Sequence, residues 1–124
     1  MNENFENPGA AKSDATTTVA ELREQMRKFV AQRDWEKFHQ PKNLAMSIAI
    51  ETAELMEHFQ WRDHDQCKAA LEDPETLQEV KDEISDIFAY LLSLTNALDI
   101  DLSQTFRDKM VRVEKKYPDG TFEV

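Results

Sequence analysis

Residues 74–98 run PETLQEVKDEISDIFAYLLSLTNAL, and their apolar positions recur at helical intervals from end to end. Val80, Ile84, Ile87, Phe88, Leu91, Leu92 and Leu94 cover more than a narrow stripe. A helix apolar over so much of its surface is central in the fold or lies in a dimer interface. Asp73-Pro74-Glu75 is its start signal: an N-cap, then proline in the first turn, then an acid near the positive end of the dipole.

Working outward, Pro41 opens a second helix that is expected to run to about Trp61, with Leu44, Ile48, Leu55, Met56 and Phe59 as apolar positions. Residues 62–73 read as a polar loop with a short helical turn over 67–71. Residues 99–101 make a tight connection to a helix over about 102–117, with Leu102, Phe106, Met110 and Val113 facing inward. Pro118, Asp119 and Gly120 stop it. At the other end a helix starts at Thr18, whose spacing to Glu21 is that of a capping box, and ends near Asp34. Trp35 and Phe38 lie in a connector that closes with His39-Gln40-Pro41. The expected fold is all-α: a four-helix bundle with short loops. Residues 1–16 read as a flexible N-terminal tail and residues 17–124 as one domain.

The charge balance limits the partners. With 25 acidic and 15 basic side chains in 124 residues, the formal net charge is −10. Such a surface repels nucleic-acid polymers and anionic membranes, while a small anionic substrate still binds where metal ions reverse the local field. Cys67 is the sole cysteine, which excludes an intrachain disulfide and fits a reducing compartment. Residues 1–18 lack a basic start followed by an apolar run, and no segment approaches the ~20 apolar residues that span a bilayer. A cytoplasmic location is expected. The short chain favours an obligate oligomer.

Two acidic pairs carry the candidate chemistry. Glu51 and Glu54 lie three apart on one helix, Glu83 and Asp86 three apart on another. That spacing puts both members of a pair on one helix face. Each pair is set in apolar sequence, Ile48-Ala49-Ile50 before the first and Ile87-Phe88 after the second. Carboxylates on a buried face are costly unless compensated. If the two faces meet, the natural compensation is a hard cation, and oxygen-only ligands suit Mg²⁺, or Mn²⁺, rather than zinc. Taken alone, the pairs fit surface acids as well as they fit a metal site. A carboxylate-bridged di-iron centre needs Glu-x-x-His pairs, and no histidine follows a glutamate by three on these helices. Arg107, Lys109, Arg112, Lys115 and Lys116 concentrate positive charge near a helix C-terminus, where the dipole favours it in any case. Trp35, Trp61, His39 and Tyr90 flank the acids in sequence; by composition alone they are ordinary core residues.

The pair Glu51-x-x-Glu54 followed by Glu83-x-x-Asp86 resembles the signature of the MazG-like all-helical NTP pyrophosphohydrolases. FVAQRDWEKFHQPKN at 29–43, Leu44-Ala45-Met46 and Phe59-Gln60-Trp61 resemble the dCTP pyrophosphatase branch. Glu83-Ile84-Ser85-Asp86 with Tyr90-Leu91 is similar too, as is Lys109-Met110 followed by Lys116-Tyr117-Pro118. The resemblance spans about residues 19–118. It implies a Mg²⁺-dependent house-cleaning hydrolase that cuts a nucleoside triphosphate to monophosphate and pyrophosphate, favouring dCTP or a 5-modified dCTP. It implies that Glu51, Glu54, Glu83 and Asp86 are metal ligands; as the catalytic acids, any of the four, Glu54 among them, could take a proton from the attacking water. Trp35, His39, Trp61 and Tyr90 match the nucleotide pocket; Lys42, Asn43, Lys109 and Lys116 are further substrate contacts. It also implies a homodimer or a dimer of dimers with sites completed across subunits. The chain departs from the pattern at Val113, where asparagine is usual. The alternatives are the same chemistry on dUTP, a damaged dNTP or phosphoribosyl-ATP, and a non-catalytic helical interaction module.

Overall fold

Side-chain caps start most of the helices. In the computed structural model, which describes residues 12–121, α1 spans Val19–Gln32, α2 Pro41–Glu57, α3 His64–Ala70, α4 Pro74–Leu98 and α5 Leu102–Lys116, with a 3₁₀ turn at Glu36–Phe38. Thr18 Oγ1 accepts from the Glu21 N–H at 3.1 Å, and Glu21 Oε1 accepts from the Thr18 N–H at 3.2 Å, which is the expected capping box. Asp63 and Gln66 form a second one for α3. Asp73 and Asp101 cap α4 and α5 by accepting from Thr76 and Gln104. Pro41 opens α2 with no side-chain cap.

The all-α class holds, with no strand among the described residues. A fifth helix stands where a loop with one turn was expected, because the Asp63–Gln66 box starts α3 three residues early. The second helix is shorter than expected. It ends at Glu57 rather than Trp61, and residues 58–62 tighten into turns: the Phe59 N–H bonds to Met56 O and the Arg62 N–H to Phe59 O. Arg62 Nη1 and Cys67 Sγ donate to the freed carbonyls of His58 and Phe59. Residues 1–11 of the expected tail lie outside the described residues; residues 13–16 form a hydrogen-bonded turn.

Two helices end on an aspartate in the left-handed region, Asp34 after α1 (φ 56°) and Asp99 after α4 (φ 53°). Each makes a Schellman turn: Trp35 N–H to Val30 O and Asp34 N–H to Ala31 O in the first, Ile100 N–H to Thr95 O and Asp99 N–H to Asn96 O in the second. Aspartate tolerates this conformation better than most residues.

α4 is central, as its apolar breadth predicts: α2 and α1 both pack on it, while α3 and α5 touch the other helices sparsely. Val30, Leu44, Val80 and Leu92 are the buried apolar side chains among the described residues. Asn96 ties α1 to α4. Its Oδ1 accepts from Arg23 Nε and Arg27 Nη2, both at 3.0 Å, and its Nδ2 donates to Arg23 O at 3.0 Å. Phe106 does not face inward as expected; it is 63% exposed, as are Ile50 and Ile84 at 57% and 54%. Among the described residues Phe106 lacks a cover. No helix among the described residues is long and apolar enough to cross a membrane.

Asp99→Val is expected to cost about 1–2 kcal/mol through its clash in the left-handed region, whereas Asp99→Gly is tolerated. Denaturant melts of both variants check this.

Candidate active site

α2 and α4 pack with their acidic faces together. Glu51 of α2 and Glu83 and Asp86 of α4 each bring a carboxylate oxygen within 4.8 Å of the others. Two helices place three acids at one point because Glu83 and Asp86 share a face at i, i+3 and Glu51 lies opposite. Glu51 and Glu83 are half-buried and Asp86 is exposed. Glu54, one turn further along α2, is exposed and stands outside this tight trio.

The electrostatics of the trio are unfavourable in the bare protein. Burial pushes the Glu51 carboxyl up to about 7; close approach of Glu54 and Glu83 and the charges of Glu54 and Asp86 push the same way. Burial also raises Glu83, and Glu54 and Asp86 add to it, while its contact with Glu51 acts in the opposite direction. Oε2 of each of these two glutamates is buried with no donor. Orphaned acceptor oxygens on converging carboxylates fit a hard divalent cation, since nothing else nearby offsets the charge.

A cavity of about 470 Å³ lies among α1, the connector before α2 and the C-terminal part of α4. α2 and α4 run antiparallel here, since Glu51 faces Glu83 and Asp86 at one end and Pro41 meets Ser93 and Ala97 at the other. Asp86, Tyr90, Ser93 and Ala97 follow one face of α4, so the cavity begins two turns, roughly 10 Å, from the acids. Met26 and Val30 of α1 form its third wall, and Glu36 and His39 close it from the connector.

The connector is held by its own backbone contacts. His39 Nδ1 lies 3.0 Å from Trp35 O, and a carbonyl only accepts, so Nδ1 carries the proton and Nε2 of the neutral ring remains an acceptor. Asn43 Nδ2 donates to Phe38 O at 3.3 Å. Trp35 meets Phe29 edge-on, with ring centroids 5.7 Å apart. Lys42 is exposed in the first turn of α2, and Tyr90 is half-buried one turn beyond Asp86.

The other expected contacts are not gathered here. Trp61 is 85% exposed. Lys109 and Lys116 are exposed on α5, and Lys116 Nζ lies 5.4 Å from the Tyr117 ring centroid. Among the described residues no ion pair engages either lysine. Val113 is half-buried. Sequence reasoning missed the cavity residues Met26, Glu36 and Ser93. For Ser93 a signal existed: a polar residue seven positions after Asp86 interrupts the run Leu91-Leu92-Ser93-Leu94.

An all-helical chain with an acid trio between its two main helices defines a class of candidate metal-dependent enzymes. A model of the MazG-like family matches residues 46–122, and the chain belongs to that family. It is 33% identical over 121 residues to dCTP pyrophosphatase 1 of Bos taurus, covering 89% of this chain and 72% of the bovine protein. It is 35% identical over 101 residues to dCTP pyrophosphatase 1 of Mus musculus, covering 82% of this chain and 59% of the mouse protein. The crystal structure of a pyrophosphatase from Archaeoglobus fulgidus superposes with a TM-score of 0.75 at 43% identity, covering 82% of this chain and 93% of the other.

The raised Glu51 carboxyl has a sign. The native protein holds that proton more tightly than the unfolded chain, so stability is fully present below about pH 4.5 and falls as pH rises through about 7. In EDTA, the melting temperature of wild type is expected to drop between pH 5 and 8 more than that of Glu51→Gln, and Mg²⁺ is expected to restore it at pH 8.

Proposed function

We propose that this chain is a Mg²⁺-dependent nucleoside triphosphate pyrophosphohydrolase that favours dCTP or a 5-modified dCTP. Its reading as a nucleoside triphosphate pyrophosphatase rests on the MazG-like family and on relatives that are pyrophosphatases by name. The observation that carries the finer reading is the meeting of Glu51, Glu83 and Asp86 between α2 and α4, with an open cavity roughly two helical turns further along α4.

Glu51, Glu83 and Asp86, with Glu54 beside them, would hold Mg²⁺ or Mn²⁺. A cation there supplies positive charge against the triphosphate and against the charge that builds during displacement at the α-phosphorus. Glu54 is exposed beside Glu51 and Glu83, and one of the four acids, such as Glu54, takes a proton from the attacking water. Pyrophosphate leaves. The nucleoside lies along the α2–α4 groove, with its base in the cavity beside His39. Trp35 and Tyr90 border that path and Trp61 offers a stacking face. Lys42 and Asn43 sit at the connector end, where α2 begins.

Lys109 and Lys116 meet the outer phosphates from a partner copy in this reading. The exposed Trp61, Ile50, Ile84 and Phe106 require a cover that one chain does not provide. A second copy supplies it, as a homodimer or a dimer of dimers. A reducing compartment such as the cytoplasm suits the lone Cys67.

Pyrophosphate release from a panel of dNTPs and modified dNTPs, with Mg²⁺ and with EDTA, tests the activity. Release that needs Mg²⁺ and is strongest with dCTP or a 5-substituted dCTP is the expected result. Best release from dUTP or a damaged dNTP keeps the chemistry and moves the base preference; no release from any of them favours a non-catalytic interaction module. Glu51→Gln is expected to lower turnover at least about a hundredfold with its helical circular dichroism intact. Full activity in that variant overturns the metal site. Phe106→Glu is expected to shift the protein to a smaller species in size-exclusion chromatography.

A further inference from the structure

Two arginines one turn apart on α1 meet the same amide and end in different places. Arg23 donates from Nε to Asn96 Oδ1 at 3.0 Å and from Nη2 to Thr95 O at 3.3 Å, and the Asn96 Nδ2 donates back to Arg23 O. It is absent from the cavity lining. Arg27 lines the cavity together with Asn96. Its Nη1 donates to Glu24 Oε1 at 2.6 Å and its Nη2 to Asn96 Oδ1 at 3.0 Å.

Those two bonds leave Arg27 both fixed and underused. A guanidinium carries five N–H groups in one rigid plane, so three have no partner among the described residues. The amide beside it is fixed as well. Because Asn96 Oδ1 accepts from two arginines while Nδ2 donates to a carbonyl, the hydrogen bonds set which end is oxygen and which is nitrogen. The second N–H of that Nδ2 has no partner among the described residues either. One side of the cavity thus holds a charged donor anchored at two points, with an amide donor next to it.

We infer that Arg27 is a base contact, whose free N–H groups, with the spare Asn96 N–H beside them, donate to ring acceptors of the bound nucleobase. The inference rests on the nucleotide pyrophosphohydrolase reading and deepens it. Cytosine suits such donors because it sets two acceptors side by side, its ring carbonyl and its unprotonated ring nitrogen. A planar guanidinium held in place matches a planar edge of this kind better than a flexible ammonium does.

The test compares wild type with Arg27→Met. Arg23 keeps its own bonds to Asn96 in that variant, so α1 stays tied to α4. The half-exposed ion pair that is lost with Glu24 contributes little to stability. The measurements are KM and kcat for the dNTP that wild type hydrolyses fastest, and the competitive inhibition constant of deoxyribose triphosphate, which lacks a base. KM is expected to rise about tenfold, the low end for a hydrogen bond to a charged group because Arg27 is exposed to water; kcat and the inhibition constant stay within about twofold. Arg27→Lys, which keeps the charge and loses the planar fork, is expected to give a smaller rise in KM and again no change for the base-free triphosphate. An inhibition constant that rises as much as KM overturns the inference, since the guanidinium then serves the phosphates or the fold. An unchanged KM in Arg27→Met overturns it too, and both results leave the pyrophosphohydrolase reading in place. Wild type that releases no pyrophosphate from any dNTP overturns both.

Discussion

Three carboxylate oxygens within 4.8 Å of one another cannot all stay charged without a counter-charge. That constraint organises the molecule. It concentrates unfavourable energy at Glu51, Glu83 and Asp86, where α2 and α4 pack side by side. The bare protein relieves part of the repulsion by raising the Glu51 and Glu83 carboxyls. Packing holds the rest in place. Leu44 and Leu92, buried further along the same pair of helices, anchor the contact that the acids alone would push apart.

The same two helices carry the groove onward to the cavity, and α1 completes it. This division of labour gives Asn96 and its two arginines a part in the site, with Arg27 and Asn96 lining the cavity. Arg23 and Arg27 hold α1 against α4 at the cavity's edge, so Met26 and Val30 keep their places as its third wall. α5 stands apart. Its basic side chains and Phe106 are exposed, and it touches the other helices sparsely.

Much of this was legible beforehand. Thr18, Asp73 and Pro41 mark helix starts by simple chemistry, and all three do so in the structure. The acid trio was legible because i, i+3 spacing fixes a shared face on each helix. Glu54 shares that face with Glu51 and comes close to both Glu51 and Glu83, as its spacing implies. The end of α2 was misjudged because the residues after Glu57 keep turning in tight hydrogen-bonded loops and carry apolar side chains at helical intervals. Phe106 was misjudged because periodicity marks an apolar face without saying which chain covers it. The cavity was invisible because its walls come from residues near 26–30, 36–41 and 93–97, and no local pattern joins them.

The aspartates that end α1 and α4 bear on the unfolded chain as well as the folded one. Glycine is the usual residue at those turns, and it widens the range of shapes an unfolded backbone explores. Here aspartate takes both turns, and the whole chain has two glycines. The denatured ensemble is correspondingly stiff and has less freedom to surrender on folding. A protein with four buried apolar side chains among its described residues thus draws part of its stability from the poverty of its alternatives.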